Sequence, residues 1–467
     1  MSATALIRTL REKGPAGALR AVHPIRLWDR VEGLRLRREI VRGLSDLWCG
    51  RETSAAELRR AALERLLRHA RREVPYYRRL FERAGVGEPT ANDLARLPLL
   101  DKSLIRQHGA ELLCSGWERH DHYRQTTGGT SGQPLEFVVG QLASEAATAH
   151  QEFAFRRMGH RDGDRIAAFA GLNPTDSERE QNIYWVPRRG ASELPYGSIS
   201  YAAHLLNDRT APFYFAHLDR AGYRFLLGYP SAVHAMARYC LDTGRRLSRP
   251  IAAVQLTSEI ALESQIADIE AAFGARVFLQ YGHSEVCVYA HTAHAAREYL
   301  CSPWMGWVEV LDARGRQVSP GEEGEIVVTG FHNRVMPFIR YRTGDFAEYG
   351  GDRDGIAVLP RLMGRAQEFL LGRDGAKVAV TGIVFGQHFK AFSHSERWQI
   401  FQKERGKITV RVIPRPGFSE EDRREIAERF RRAVDIEARV ELVSDLPRTA
   451  RGKHRFVVNE VGPGEYA

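Results

Sequence analysis

The sequence predicts an α/β protein: a large, multi-layer α/β N-terminal domain with a helical arm at its start, followed by a small, mobile α+β C-terminal domain. Three observations lead there. From about residue 120, short apolar runs alternate with helical stretches, the texture of strands and crossover helices. Before about residue 90 the chain is arginine-rich with helical spacing. After PRLMG, near residues 364–368, it starts afresh with its own strands and one capped helix. A chain of 467 residues has room for two or three domains. The expected division is a helical, arginine-rich region 1–90 belonging to the large domain, a core 91–364, and a C-terminal lid 365–467 on a hinge.

Each element has a local cause. In AAELRRAALERLLRHARREV, Leu58, Ala62, Leu66 and Leu67 recur at helical spacing with charges between them. Thr53 or Ser54 caps that helix, with Glu57 three residues after Ser54, and Pro75 ends it. RIAAFAG, RFLLGYP, AAVQLTS, ARVFLQYG and GEIVVTG read as buried strands. LASEAATAHQEFAFRRMG and ALESQIADIEAAFG read as the helices between them. In the C-terminal part, ITVRVIP and ARVELVS are strands, and SEEDRREIAERFRRAV is a helix capped by Ser419 with Asp422 at the capping-box position.

Composition excludes several classes. With 43% hydrophobic and 27% charged residues, the chain is neither collagen-like, nor a disulfide scaffold, nor wholly disordered. Its formal charge of +10 invites a nucleic-acid or membrane-surface reading. Yet Arg8 to Arg83 hold 20 cations against 10 anions, leaving 48 of each beyond, so the excess belongs to the N-terminal arm. No nucleic-acid fingerprint accompanies it. The arm is read as a solvated arginine face on a supporting helix, with contact to a membrane surface or a partner as its other use. No run approaches the roughly 18 apolar residues of a spanning helix, and MSATALIRTLREKG lacks the apolar stretch of a signal peptide. Five scattered cysteines without a CxxC read as reduced thiols of a cytoplasmic protein.

Four motifs carry chemistry. RQTTGGTSGQP (124–134) sets four hydroxyls among three glycines, a loop able to cradle phosphate oxygens or simply a polar surface loop. FLQYGHSEV (278–286) ends a strand in an aromatic, a glycine, a hydroxyl and a carboxylate. Tyr281 there is suited to stack on a base and Glu285 to hold Mg²⁺, or the segment is a plain strand-end turn. In MPFIRYRTGDF (336–346), Gly344 permits a tight turn and Asp345 can accept both hydroxyls of a ribose, the alternative being an Arg/Asp ion-pair turn. LPRTARGKHRF (446–456) sets Lys453 on a late loop, as a charge for developing phosphate or carboxylate anions or as a basic tail.

The order of these motifs resembles the adenylate-forming superfamily of acyl-CoA synthetases, peptide-synthetase adenylation domains and luciferases. The resemblance is closer to the phenylacetate-CoA ligase-like branch with its CapK-type members. LLRHARREVPYYRRLFERAG, LPLLDKSLIRQH, GEEGEIVVTG and NRVMPFIRYRTGD carry it, and it spans residues 55 to 456. It implies an AMP-forming ligase that joins a small carboxylic acid to ATP, with Mg²⁺, as acyl-AMP plus pyrophosphate. The acyl group then passes to a thiol, of coenzyme A or of the phosphopantetheine of an acyl carrier protein. An amine or hydroxyl acceptor is the alternative, and a non-catalytic nucleotide or nucleic-acid binder is the reading from another class. The resemblance further implies that Thr126, Thr127, Gly128, Gly129, Thr130, Ser131 and Gly132 hold the β- and γ-phosphates. Ser258 and Glu259 would form the adenine turn, and Tyr281 with Gly282 beside it would stack on adenine. Ser284 would lie at the α-phosphate, Glu285 on the metal, Asp345 on the ribose, and Arg365 on ribose or phosphate. Lys453 would serve adenylation and then swing away as the small domain rotates.

Two positions depart from that pattern: Gln133 where lysine is common, with Arg124 as compensation, and Gln367 at the hinge. Tyr229, Pro230 and Ser231 are expected to line the acyl pocket. His283, Cys287, His291 and His294 have near-helical spacing that would put zinc ligands on one face, against the simpler reading of unconnected histidines near a cavity. His204, His217 and His234 receive no role.

Overall fold

A computed structural model describes residues 24–50, 54–126, 135–172, 174–188, 193–292, 297–365, 369–373, 377–379, 391, 394–434, 436–447 and 455–461. It begins with helix α1 (Pro24–Trp48), α2 (Ala55–Glu73) and α3 (Pro75–Arg83). The Glu57 N–H donates to Ser54 Oγ, capping α2, and Pro75 takes the first position of α3, where its missing N–H is not needed. The apolar stripe of α2 buries Ala62, Leu63, Leu66, Leu67 and Ala70. The arginine face is not wholly solvated. Arg59 is buried, lies 4.1 Å over the Trp307 ring and pairs with Asp352 at 2.8 Å.

A hairpin of β1 (His122–Thr126) and β2 (Glu136–Gly140) leads into α4 (Gln141–Arg157), against which α1 packs. The main sheet follows: β3 (Ile166–Ala170), β4 (Trp185–Pro187), β5 (Ile199–Ala202), β6 (Phe225–Gly228), β7 (Ala253–Thr257), β8 (Arg276–Gly282), β9 (Tyr289–Thr292) and β10 (Tyr299–Cys301). With β14 (Asp352–Arg353) and β15 (Ile356–Leu359), these form ten strands in the order β14-β15-β10-β9-β8-β7-β6-β3-β5-β4. The run β8-β7-β6-β3-β5 is parallel and the edges are antiparallel. Crossovers α5 (Ala211–Ala221), α6 (Pro230–Thr243) and α7 (Glu263–Phe273) cover the sheet. Strands buried on both faces explain why these runs read as continuous apolar segments.

A second, antiparallel sheet is β11 (Gly306–Leu311), β12 (Glu323–Gly330), β13 (Tyr341–Glu348) and β16 (Arg361–Arg365), in that order. The small C-terminal domain contains β19 (Ser395–Glu404), β20 (Lys407–Pro414), α8 (Glu420–Val434), β21 (Glu437–Leu442) and β22 (Val457–Asn459). It also has a hairpin of β17 (Phe369–Leu371) and β18 (Lys377–Ala379). Its mixed sheet, β21-β20-β19-β22, has a core of its own built on Trp398, Ile400, Val410, Ile426 and Phe430. At α8 the Asp422 N–H donates to Ser419 Oγ while the Ser419 N–H donates to Asp422 Oδ2 at 2.7 Å, a capping box with aspartate. Among the described residues no helix is long and apolar enough to cross a membrane.

Candidate active site

The strand order locates a crevice. From β3 the chain steps to β5 on one side, then returns to β6, β7 and β8 on the other. Open α/β sheets bind ligands outside the carboxyl ends of strands flanking such a reversal. There stand Tyr229 and Ser231 after β6, Ser258 and Glu259 after β7, and His283, Ser284 and Glu285 after β8. The second sheet adds β13, whose alternation puts Tyr341, Thr343 and Asp345 on one face.

Two phenol–carboxylate pairs tie the sheets together. The Tyr281 hydroxyl, from the first sheet, donates to Asp345 Oδ2 at 2.9 Å. The Tyr341 hydroxyl, from the second, donates to Glu285 Oε1 at 2.6 Å. His283 Nδ1 lies 3.2 Å from Glu285 Oε2. Burial of Glu285 opposes its charge, but the nearby His283 and the Tyr341 hydroxyl outweigh it and hold the carboxyl down at about 2. Burial, and then the Glu285 charge, push the Tyr341 phenol up.

The turn bearing Glu285 is clamped. Val286 has φ +59°, a costly conformation for a β-branched residue. Cys287 is wedged between two glycines. A Cβ on Gly306 would lie 2.1 Å from the Cys287 carbonyl oxygen, and one on Gly330 2.8 Å from its Cα. The Cys287 thiol donates to the Glu285 carbonyl oxygen at 3.2 Å, and burial pushes its pKa up, so it is inert. A single buried carboxylate that stays ionised, with hard oxygen donors, fits Mg²⁺, which takes one or two carboxylates and leaves its other positions to phosphate and water.

Asp345 is set by a bulge. Gly344 has φ +74° where the β12–β13 register shifts, so RTGD is a kinked strand and not a tight turn. The Asp345 N–H donates to Thr343 Oγ1 at 3.0 Å, and that hydroxyl donates to the Ile326 carbonyl at 2.7 Å. Arg342 pairs with Glu325 at 2.6 Å. Across β13–β16, Arg365 stands opposite Asp345.

Ser258 has φ +72°, and Glu259 accepts from the Ser231 N–H at 3.0 Å and the Ser231 hydroxyl at 3.1 Å, closing the β7 turn onto the start of α6. Thr126 ends β1, exposed and opposite Glu136. Arg124, the expected compensation for Gln133, pairs with Glu136 at 3.0 Å. Thr127, Gly128, Gly129, Thr130, Ser131, Gly132, Gln133, His294, Gln367 and Lys453 lie outside the described residues.

The histidine–cysteine set is not on one helix face. Residues 283–288 form a turn and His291 lies in β9, where burial and Arg157 lower its pKa to about 3. Among the described residues no group of three metal-ligating side chains is present. His217 stacks on Trp185 at 3.8 Å, and His234 pairs with Asp268 at 2.8 Å between helices. The sequence motifs give Tyr341 no role, and His283 only that of a zinc ligand and not of the neighbour of Glu285. The two-residue alternation back from Asp345 would have found Tyr341.

Residues 370–460 match the family described as CapK C-terminal domain. Protein CapK of Staphylococcus aureus is 21% identical over 422 residues, covering 87% of this chain and 89% of that protein. Phenylacetate-coenzyme A ligase of Pseudomonas putida is 24% identical over 378 residues, covering 76% of this chain and 81% of the ligase. A crystal structure of 2-hydroxyisobutyryl-CoA ligase in the postadenylation state, in complex with R3-HIB-AMP, superimposes with a TM-score of 0.67 at 19% identity. It covers 88% of this chain and 90% of that one. The chain is thus similar in sequence, over most of its length, to CapK and to phenylacetate-coenzyme A ligases, and it shares the fold of the 2-hydroxyisobutyryl-CoA ligase.

Proposed function

We propose that the protein is an ATP-dependent, AMP-forming ligase that activates a small carboxylic acid and passes the acyl group to a thiol, of coenzyme A or of a carrier phosphopantetheine. The observation that carries this reading is the crossed pair of phenol–carboxylate bonds, which holds Asp345 and an ionised Glu285 at the strand-end crevice. In this reading a carboxylate oxygen of the acid attacks the ATP α-phosphorus, acyl-AMP forms and pyrophosphate leaves. No side-chain nucleophile is needed; positioning and charge do the catalysis. Asp345 binds the ribose hydroxyls, Tyr281 and the Ser258–Glu259 turn hold adenine, and Arg365 contacts ribose or phosphate. The 126–132 loop takes the outer phosphates, Ser284 the α-phosphate, and Glu285 holds Mg²⁺. When bound, that ion neutralises charge on the phosphate oxygens.

Lys453 is assigned to the carboxylate and α-phosphate during adenylation, with rotation of the small domain clearing it before transfer. The protein works in the cytoplasm, and Tyr229, Pro230 and Ser231 border the acid. A pyrophosphate-exchange assay tests this. Lys453→Ala should abolish acid-dependent exchange while the protein stays folded by circular dichroism, and near wild-type exchange refutes the role of Lys453. ATP binding with no exchange for any acid would favour a non-catalytic nucleotide binder. Product formed with an amine or alcohol, independent of coenzyme A, would favour an amide- or ester-forming enzyme.

A further inference from the structure

Beneath the crevice, on the sheet face that α4 covers, lies a buried polar seam. Gln255, in the middle of β7, is 2% exposed, and Gln151, on α4, is 4% exposed. Gln255 Nε2 donates to Gln151 Oε1 at 3.1 Å, and the buried Tyr289 hydroxyl donates to the same oxygen at 2.9 Å. Gln151 Nε2 and Gln255 Oε1 then have no hydrogen-bond partner among the described residues. Turning both amides over keeps their contact and still orphans one donor and one acceptor. Buried polar groups are nearly always bonded, and the adjacent His150 obeys the rule. Its Nδ1 lies 2.7 Å from the Ala146 carbonyl oxygen and its Nε2 2.7 Å from Ser302 Oγ.

The position of the orphans relates them to the crevice. Tyr289 is the register partner of Gly282, the residue after Tyr281. Gln255 lies two residues before Thr257, the last of β7. Two residues of strand span about 7 Å, so the unsatisfied donor and acceptor sit one pleat below the rim where a ligand binds.

We propose that Gln151 and Gln255 form the far end of the acid-binding pocket, and that the acid carries a neutral polar group, a hydroxyl or a primary amide. Either group supplies both a donor and an acceptor, matching the two orphaned atoms. A purely aryl or alkyl tail would leave both atoms buried and unpaired. This inference rests on the carboxylate-activating reading above and names its substrate class.

The test is calorimetry, in the presence of ATP and Mg²⁺, on matched acids: 4-hydroxyphenylacetate against phenylacetate, 3-hydroxybutanoate against butanoate, and succinamate against pentanoate. A site built to bond a hydroxyl or amide rejects the analogue lacking it strongly, so in at least one pair the polar member should bind about a hundredfold tighter or more. The Gln151→Met/Gln255→Met variant, close in volume, should erase or reverse that preference with ATP affinity unchanged. Its melting temperature should stay close to the wild type's, because two orphaned groups are gone while the Tyr289 hydroxyl loses its acceptor. Equal affinity within every pair, or a preference that survives the double substitution, overturns the proposal and makes the pair a buried water site. Pyrophosphate release measured in parallel separates the two readings. A polar preference in binding without release keeps the pocket and removes the ligase; release with apolar acids alone does the reverse.

Discussion

The two phenol–carboxylate pairs that cross between the sheets share one chemistry and differ in enclosure. In the inner pair, Tyr341 is 1% exposed and Glu285 6%, and His283 closes the second carboxylate oxygen. In the outer pair, Tyr281 is half-buried. A hydrogen bond shut away from water cannot be replaced by solvent when one partner is lost, whereas a half-open one can. The inner pair is therefore a strut that also holds an anion at a set place. The outer pair, with Asp345 buried and Tyr281 half-open, is a weaker tie where a ligand can compete for the same groups.

That contrast can be broken in four ways. Glu285→Gln should give the largest effect, a fall of about a thousandfold in acid-dependent pyrophosphate release, on the scale of losing one charge-stabilising group. Steady-state kinetics at varied Mg²⁺ checks it; activity within tenfold of wild type would show that the inner carboxylate is only a strut. Tyr341→Phe should destabilise the large domain by about 1–3 kcal/mol in urea unfolding, because it strips a buried carboxylate of its donor. Tyr281→Phe should cost about 0.5 kcal/mol or less, and equal losses would erase the distinction between the pairs. Asp345→Asn should weaken ATP binding about tenfold by calorimetry and leave acid affinity nearly unchanged, as expected for loss of one hydrogen bond to a charged group.

The smallest effect is on pH dependence. Buried His150 and His291 are lowered to about 3 and His332 to about 4, from an ordinary 6.5. They stay neutral in the fold and charge first in the unfolded chain, so stability should fall as pH drops from 6.5 toward 4. Glu285, at about 2 against an ordinary 4.5, adds stability that is complete above 4.5 and lost as pH falls toward 2. Tyr341→Phe should flatten only this second decline in a pH series of melting curves. A changed slope above pH 5 would contradict the assignment.

Much of this was legible in the chain. The five apolar runs named as strands are β3, β6, β7, β8 and β12. The Ser54 and Ser419 caps form where their spacing implied. YGHSE does stand at a strand end. Other features misled because a local pattern has more than one three-dimensional outcome. The helical spacing of His283, Cys287 and His291 ran through a turn and a strand. Gly344 supplied a positive φ to a bulge inside β13 instead of a turn. Arg59 left the solvated face because Trp307, far along the chain, offered a ring to stack on.

What the sequence determined by itself was therefore short-range: which segments are strands or helices, where they begin, and which strand ends carry aromatic, hydroxyl and carboxylate groups. These follow from side-chain period, caps and turn residues, all acting within a few positions. Only the tertiary structure decided the partners. Tyr341 and Glu285 are 56 residues apart, Tyr281 and Asp345 64, and Gln255 and Gln151 104. Those distances close only when two sheets and α4 dock. Docking is driven by apolar burial, which has no direction of its own and leaves the choice of polar neighbours to the packed geometry.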